Sequence, residues 1–440
     1  MKPSSSTTSK NPRTTDARAT ADTPLNTPSN TKSSFSPPPL FHPPPTSLGT
    51  LGWNPRMIES TSSIRPGTPV QEPPAFKQPL LQTDVYYRPE LDALRFLAWL
   101  LVFVHHLPEP GRPYLNTLRL AGAFGLPIFF CLSAYLIITL LLKEKDRTGT
   151  VRLSWFAARR MLRIWPLYFG ILAVGWVLGR ICPSIHLSVK EIALFCVMLG
   201  NVWMLRHGWA GSPSAIVWSV SIEEQFYVAI PMLMRAGGRR AIAVCCFLAL
   251  CSAYIVLVWV HLRREDPVVA AWANTFVQFQ FFAAGGLLAL IYARWEVRIS
   301  LWIRLVLFGG SLLAFWIAAP IWGSYSGPRL LGAYLLALIG TCGILVATLY
   351  VPVSPPPLLV YLGRISYGLY VFHTTVLWFV FDSGFRALQS YTLSHRYQGT
   401  LLAVMLTVGC ASVSYQFIER PILRLKDRFG VIRSSPGRTA

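Results

Sequence analysis

Two ionisable side chains share one face of an apolar stretch, residues 88–107, with the sequence RPELDALRFLAWLLVFVHHL. Arg95 and His106 are eleven positions apart, so a helix would set them about 20° apart around its axis and ~16 Å apart along it. Asp92 lies one turn before Arg95, whereas His105 points about 100° away from His106. Ionisable groups inside a membrane segment normally face the bundle interior or a wet cavity. We therefore expect Arg95 and His106 to face the interior together; the alternative is an arginine that reaches the interface and a histidine bonded to a backbone carbonyl.

A second candidate is the arginine cluster in FAARRMLRIWP. Its spacings of three and four would put Arg160 and Arg163 side by side, with Arg159 over Arg163. Guanidinium groups bind phosphates through paired hydrogen bonds, so a phosphorylated cytosolic donor is a reasonable ligand. The alternative is simple anchoring of the helix at the membrane surface, in contact with anionic lipid.

Two adjacent carboxylates, Glu223 and Glu224, interrupt the apolar segment WSVSIEEQFYVAIP. One of the two must face away from lipid, and Ser219 lies one turn before Glu223 on the same face. A carboxylate held there could orient a histidine or a hydroxyl substrate. The alternative is that both glutamates sit at an aqueous rim and anchor the helix.

The motif LGRISYGLYVFHTTVL places His373 and Tyr370 on a late apolar helix. We interpret His373 as a hydrogen-bonded packing residue. Glu419 and Arg420, at the end of SYQFIERP, are interpreted as a capping and anchoring pair.

The elements that must position these residues are membrane helices. The chain has 440 residues, of which 53% are hydrophobic and 13% charged, against roughly 25% charged in a soluble domain. Its mean hydropathy is +0.44. The net charge of +21 comes from short basic clusters between apolar runs and at the ends, a pattern typical of cytoplasmic anchoring, which argues against a nucleic-acid partner.

Eleven apolar runs follow one another along the chain. They lie near residues 88–107, 120–142, 161–180, 192–206, 216–235, 241–262, 268–293, 301–322, 329–351, 360–382 and 398–418. The run 192–206 is short for a bilayer of ~30 Å, which needs about twenty residues, so we predict that it is re-entrant or interfacial. Ten crossings with both termini in the cytoplasm then satisfy every basic connector except HLRRED, as the positive-inside rule requires. The fold class is thus predicted to be all-α, a multi-pass protein of the cytoplasmic membrane.

Three regions follow from these patterns. Residues 1–83 are rich in Ser, Thr and Pro and are predicted to form a disordered cytoplasmic tail. Residues 84–425 form the transmembrane domain, and residues 426–440 form a basic cytoplasmic C-terminal tail.

Several function classes lack support in the sequence. It contains no Walker loop, dinucleotide-binding glycine motif, HExxH or GxSxG, which disfavours a nucleotide-driven pump or a zinc peptidase. The eight cysteines form no paired CxxC set, so neither a metal site nor a disulfide framework is predicted.

Residues 84–425 resemble the membrane acyltransferase family 3, integral-membrane enzymes that O-acylate polysaccharides, lipid-linked sugars and other extracytoplasmic acceptors. The resemblance rests on six blocks in the family's order: RPELDALRFLAWLLVFVHH, GAFGLPIFFCLSAYLI, FAARRMLRIWPLYF, WSVSIEEQFY, LGRISYGLYVFH and FIERP. It covers most of the chain, and the order of the six blocks makes it specific.

The family's signature of an arginine, ten residues and a histidine falls on Arg95 and His106. The resemblance implies that His106 is the catalytic histidine, that Arg95 is needed for activity and that Glu223 lines the central cavity. It also implies that the arginines of the cluster lie where acyl-CoA enters. The expected reaction moves an acyl group, with acetyl as the expected one, from acyl-CoA to a hydroxyl of a sugar, polysaccharide or lipid-linked glycan. His106 would act either as general base or as acyl carrier, with Glu223 as an orienting partner.

Two positions depart from the family pattern. Pro127 stands where the family has an acidic residue, and Ala134 replaces the glycine of its S-G-F motif. A side chain at Ala134 is expected to narrow the cavity. Two other readings stay open: a transporter or flippase that uses the same buried ionisable residues without acyl transfer, and an inactive member that still binds CoA.

Overall fold

The computed structural model describes residues 86–182, 185–263, 267–295, 297–324, 328–382, 386–426 and 429. Across these ranges the chain folds into α-helices joined by short turns, and no β-strand occurs among them, which confirms the predicted all-α class. The predicted N-terminal tail, residues 1–83, lies outside the described residues, as does the predicted C-terminal tail apart from residues 426 and 429.

The helices are numbered in chain order. They are α1 (Pro89–His105), α2 (Pro113–Ala121), α3 (Gly125–Thr148), α4 (Leu153–Ile181), α5 (Val189–Cys196), α6 (Gly200–His207), α7 (Trp218–Arg263), α8 (Pro267–Trp272), α9 (Thr275–Arg294), α10 (Leu301–Ser324), α11 (Arg329–Thr348), α12 (Pro357–Arg364), α13 (Ser366–Phe381), α14 (Arg386–Ser394), α15 (Arg396–Ser414) and α16 (Arg420–Lys426). Short 3-10 turns at Gly122–Phe124 and Pro213–Val217 and a π turn at Tyr415–Glu419 connect neighbouring helices.

Seven helical segments in the described ranges are long and apolar enough to cross a membrane. They are Pro113–Thr148, Leu153–Ile181, Pro213–Arg263, Thr275–Arg294, Leu301–Trp322, Arg329–Thr348 and Arg396–Leu425. The chain is therefore a multi-pass membrane protein. Helices α1 and α13 have 17 and 16 residues, short of the roughly twenty that span a bilayer, so the predicted count of ten crossings stays a prediction.

Helix α7 contains two of the predicted spans and bends sharply between them. Its 46 residues would measure about 69 Å as one straight helix, more than twice the thickness of a bilayer core. Gly238 interrupts it with φ 59° and ψ −141°, a conformation that only glycine adopts readily. Around this break, Lys145 donates to the carbonyl of Met234 at 2.7 Å, and Arg239 pairs with Asp146 at 2.7 Å. The basic loop that contains Lys145 and the basic connector that contains Arg239 thus lie in contact. The charge pattern assigns both to the same side of the membrane.

The segment predicted to be re-entrant or interfacial forms two separate helices, α5 and α6, of eight residues each. Each spans only about 12 Å, too little for a crossing. Polar side chains hold this segment to longer helices: Asn201 donates to the hydroxyl of Thr275 at 2.9 Å, and Gln225 donates to Asn201 at 3.0 Å. Hydrogen bonds to α7 and α9 therefore hold the short segment in place.

Helix α1 is the element around which the site is built, packing against α2, α3, α12 and α13. Its contacts are close because glycines face it. A Cβ placed on Gly122 would lie 2.3 Å from the carbonyl oxygen of Leu101, and one on Gly125 would lie 2.3 Å from that of Ala98. Such distances are shorter than any allowed contact, so α1 approaches the start of α3 as closely as backbones can.

Candidate active site

Four cavities follow α1 from its N-terminal to its C-terminal end, and each shares lining residues with the next. Cavity A, of about 70 Å³, and cavity B, of about 90 Å³, share Arg95, Ser133, Arg160 and Arg163. Cavity C, of about 170 Å³, shares Leu126 and Tyr370 with cavity B. Cavity D, of about 390 Å³, shares His106, Trp209, Ile216 and Trp218 with cavity C. Arg95 and His106 therefore face the same series of cavities, as their helical alignment predicted.

Arg95 is held in place by the residue one turn before it. Its Nη1 lies 2.6 Å from Oδ1 of the buried Asp92. Tyr87 donates to the other carboxylate oxygen of Asp92 at 3.0 Å, and Arg364 donates to the Tyr87 hydroxyl at 2.9 Å. Because Asp92 compensates its charge, Arg95 can lie half-buried at the wall of cavities A and B.

The three clustered arginines of α4 have different surroundings. Arg160 and Arg163 line cavities A and B and form no ion pair with any side chain in the described ranges. Arg159 instead pairs with Glu144 at 3.2 Å and donates to the carbonyl of Phe429 at 2.5 Å. Of the predicted phosphate-binding set, the structure brings two members together and directs the third into a tertiary contact.

Glu223 lines cavity B and accepts two hydrogen bonds. Ser133 donates to its Oε1 at 2.5 Å, and the buried Tyr227 donates to the same oxygen. Arg160 lies over the Tyr227 ring, 5.4 Å from its centroid. Glu224, by contrast, is buried outside the four cavities, with an oxygen that lacks a partner among the described residues. The choice of Glu223 as the carboxylate of the cavity agrees with this placement, although Glu223 does not contact His106.

His106 follows the last residue of α1 and lines both cavity C and cavity D. Its Nδ1 lies 2.8 Å from the carbonyl oxygen of Val102. A carbonyl oxygen only accepts, so Nδ1 carries the proton and the lone pair of the neutral ring is on Nε2. The group that orients His106 is thus a backbone carbonyl, whereas the sequence suggested Glu223. His105 makes a similar bond to the carbonyl of Arg119 at 3.1 Å but lines cavity C alone.

His373 is fully buried on α13, with its ring centroid 5.0 Å from that of His106. Its Nδ1 bonds to the carbonyl of Tyr370 at 2.6 Å, as the packing interpretation expected. Its Nε2 has no hydrogen-bond partner in the described ranges. A buried polar atom without a partner is uncommon and costs about 1–3 kcal/mol, so it calls for an explanation. Sequence reasoning missed this proximity; the signal available was the histidine that closes the block LGRISYGLYVFH.

Sequence reasoning placed Tyr370 on its helix but assigned neither Tyr370 nor Tyr227 to a cavity wall. Tyr370 lines cavities B and C, and its hydroxyl lies 2.7 Å from that of Ser219. Tyr227 follows Glu223 by four positions, a spacing that would have placed both on one helical face.

The two departures from the family pattern lie away from the open space. Ala134 is fully buried and faces α9, where a Cβ on Gly285 would lie 3.1 Å from the Cβ of Ala134. Ala134 is therefore part of a helix contact and does not line any of the four cavities, contrary to the expected narrowing. Pro127 lies in the first turn of α3, just after the 3-10 turn, where a missing N–H is tolerated.

No group of three or more His, Cys, Asp or Glu side chains within the described ranges is arranged to hold a metal ion. All eight cysteines are free.

Comparison with known proteins identifies the family of this chain. A family model described as the acyltransferase domain matches residues 88–417. The O-acetyltransferase OatA of Staphylococcus aureus is 26% identical over 368 residues, which cover 76% of this chain and 57% of the relative. The putative peptidoglycan O-acetyltransferase YrhL of Bacillus subtilis is 29% identical over 363 residues, covering 76% of this chain and 55% of the relative.

The chain spans little more than half the length of these curated relatives. No solved structure matches it significantly. The family model, however, covers most of the chain and includes Arg95, the arginine cluster, Glu223, His106 and His373. The chain therefore belongs to the acyltransferase domain family.

Proposed function

We propose that this protein is a membrane O-acyltransferase that moves an acyl group, with acetyl as the expected one, from acyl-CoA to a hydroxyl of a carbohydrate acceptor. The observation that carries the proposal is the series of cavities that leads from Arg160 and Arg163 to the unprotonated Nε2 of His106. The names of the relatives, O-acetyltransferase and putative peptidoglycan O-acetyltransferase, support the reaction class and a glycan as the acceptor.

The donor would bind at the arginine end. Arg160 and Arg163 are partly buried cations without ion pairs among the described residues, and such groups favour a multiply charged anion such as the phosphates of CoA. The cavity that these arginines line and the next one are small, about 90 and 170 Å³, which suits a slender chain. The thioester-bearing arm of CoA is such a chain.

His106 would carry the chemistry. The acceptor hydroxyl gives its proton to Nε2 while its oxygen bonds to the thioester carbonyl carbon, the carbon–sulfur bond breaks, and the proton then passes to the sulfur of CoA. The carbonyl end of α1 stabilises the positive charge that the imidazole gains meanwhile. If His106 carries the acyl group itself, the same lone pair attacks the thioester first and the carbon–sulfur bond breaks to release the CoA thiolate. The acceptor hydroxyl oxygen then bonds to the acyl carbon, the bond to Nε2 breaks, and the hydroxyl proton passes to the thiolate.

We also propose that both termini and the arginine end lie in the cytoplasm, the compartment that supplies acyl-CoA. The contact between the basic connectors near Lys145 and Arg239 supports a common side, and the positive-inside rule assigns that side to the cytoplasm. His106, at the other end of α1, would then lie towards the outer face of the cytoplasmic membrane.

The test is consumption of radiolabelled acetyl-CoA by the purified full-length protein in detergent and in vesicles. His106→Ala is compared with His105→Ala, because the two neighbouring histidines have the same kind of carbonyl partner. We expect the wild type and His105→Ala to consume label and folded His106→Ala to lose it. A transporter would instead move substrate across vesicles without acetyl-CoA turnover, and an inactive member would bind CoA without consuming it.

A further inference from the structure

Cavity D is the largest of the four and the one that combines indole rings with a carboxylate. Three indole rings line it, those of Trp209, Trp218 and Trp378, together with one carboxylate, that of Asp382. Trp209 and Trp218 lie 5.9 Å apart between ring centroids and meet edge to face. The volume of about 390 Å³ lies within the range of ~300–1,000 Å³ that small-ligand sites occupy.

One face of α13 supplies a wall of this cavity. Thr374, Trp378 and Asp382 follow one another at intervals of four, so they lie on the same side of the helix. The Thr374 hydroxyl donates to the carbonyl of Pro213 at 2.7 Å, which ties the wall to the segment that carries Trp209. This bond joins α13 to the 3-10 turn Pro213–Val217, which lies between Trp209 and Trp218 in the chain.

Two polar groups in the cavity are free to bind a ligand. The Asp382 carboxylate forms no hydrogen bond or ion pair with the described residues. His106 lines the cavity with an Nε2 whose neutral form holds a lone pair. No lysine or arginine is among the lining residues that the structure describes.

Indole rings beside an unpaired carboxylate match the chemistry of a sugar. The C–H faces of a pyranose pack on aromatic rings, and carboxylate oxygens accept hydrogen bonds from its hydroxyls. The carboxylate repels anionic sugars, because no cation among the described residues of the wall offsets its charge.

We propose that cavity D is the acceptor subsite, in which Trp209 and Asp382 bind a neutral saccharide with a hydroxyl directed at His106. This rests on the proposed function for the identity of the reaction but predicts saccharide binding that needs no acyl-CoA. Trp209 is 49% exposed, which alone would also fit an aromatic anchor at the membrane interface. We infer that Trp209 contacts a ligand because it lies in the cavity wall together with Trp218 and His106.

The experiment is calorimetric titration of the purified full-length protein in detergent, without acyl-CoA, with water-soluble oligomers of N-acetylglucosamine and of glucose. The variants are Trp209→Ala, Trp209→Phe and Asp382→Asn. Trp176→Ala is the matched control, because Trp176 is 45% exposed on α4 and lines none of the four cavities. Thermal unfolding of each variant establishes that it is folded.

We expect the wild type and Trp176→Ala to bind a saccharide equally. Trp209→Ala and Asp382→Asn should weaken binding by about tenfold or more, while Trp209→Phe, which keeps an aromatic face, should stay within about threefold of the wild type. Oligogalacturonate, which carries a carboxylate on each sugar, should bind more weakly than the neutral oligomers. Equal binding by Trp209→Ala and the wild type, or no binding of a neutral oligomer to the wild type, overturns the subsite.

The same preparations separate this proposal from the reaction itself. If the wild type consumes acetyl-CoA but binds no saccharide, the proposed acyltransferase function is supported and the proposed subsite is wrong. Saccharide binding that depends on Trp209, with no consumption of acetyl-CoA when both ligands are present, would keep the subsite and remove the acyltransferase.

Discussion

The imidazole rings of His106 and His373 meet edge to face, with their centroids 5.0 Å apart. Each ring is oriented by a backbone carbonyl at its Nδ1, that of Val102 for His106 and that of Tyr370 for His373. His373 therefore limits how far the His106 ring can turn. We infer that His373 is a positioning residue, which need not touch the substrate.

We predict that His373→Ala lowers kcat for acetyl transfer by about tenfold to a hundredfold, because small errors in the position of a reacting group have effects of this size. The KM for acetyl-CoA should stay near that of the wild type, since the proposed binding place of the donor phosphates is at the other end of the cavities. The matched control is His395→Ala: His395 also bonds a carbonyl through Nδ1, that of Tyr391, but it is exposed and lines none of the four cavities. An unchanged kcat in folded His373→Ala would contradict the positioning role.

A second prediction separates the three arginines of α4. Arg160→Ala and Arg163→Ala should each raise the dissociation constant for CoA by about tenfold, the loss expected for one charge-assisted contact. Arg159→Ala should leave CoA binding nearly unchanged, because its guanidinium is engaged by Glu144. The substitution should instead lower stability, since Glu144 is buried and would lose its cation.

The measurement is equilibrium binding of CoA at two salt concentrations. Binding by the wild type should weaken as salt rises, because the contact is between charges. If Arg159→Ala loses as much affinity for CoA as the other two variants, the distinction is wrong and all three arginines bind the phosphates.

The sequence was most informative where the answer depends on local geometry. The alignment of Arg95 with His106 follows from helical periodicity within one segment, and both residues line the cavities. Apolar runs likewise located helices, because a stretch that must bury its backbone in lipid has few alternatives.

Contacts between distant segments could not be predicted from the sequence. Ser133 donates to Glu223 across 90 positions of sequence, and no pattern near either residue specifies the partner. The arginine cluster shows the same limit: its spacing gives the angles between the three side chains but not which of them faces a cavity, because this depends on the helices packed around α4. Ala134 was expected at a cavity wall and lies at the contact with α9 for the same reason.

A third prediction concerns the hydrogen bonds of Glu223. Glu223→Ala removes the acceptor of Ser133 and Tyr227 and should lower the free energy of unfolding by about 2–3 kcal/mol, the cost of a lost bond to a charged group in a partly buried site. Glu223→Gln keeps one oxygen acceptor and should lose about half as much. Thermal unfolding in detergent measures both, with acetyl-CoA consumption recorded on the same samples. Equal stability of Glu223→Ala and the wild type would show that the two hydroxyls, which lie 2.7 Å apart, satisfy each other.

The fourth prediction concerns the crossing of α1 and α12, which holds Asp92 and therefore Arg95. A Cβ on Gly363 would lie 1.8 Å from the carbonyl oxygen of Asp92, and this clash is with backbone, so no side-chain rotation can relieve it. Gly363→Ala should force α12 away from α1 and cost at least about 3 kcal/mol, the upper range for overpacking a close contact.

Gly332→Ala is the control: a Cβ there meets nothing within 4 Å, and alanine in an exposed helical position gains up to about 1 kcal/mol over glycine. We therefore expect Gly363→Ala to unfold at a lower temperature and to lose acetyl-CoA consumption, while Gly332→Ala unfolds at or above the wild-type temperature with full activity. If the two variants behave alike, the close approach of α12 to Asp92 does not position Arg95.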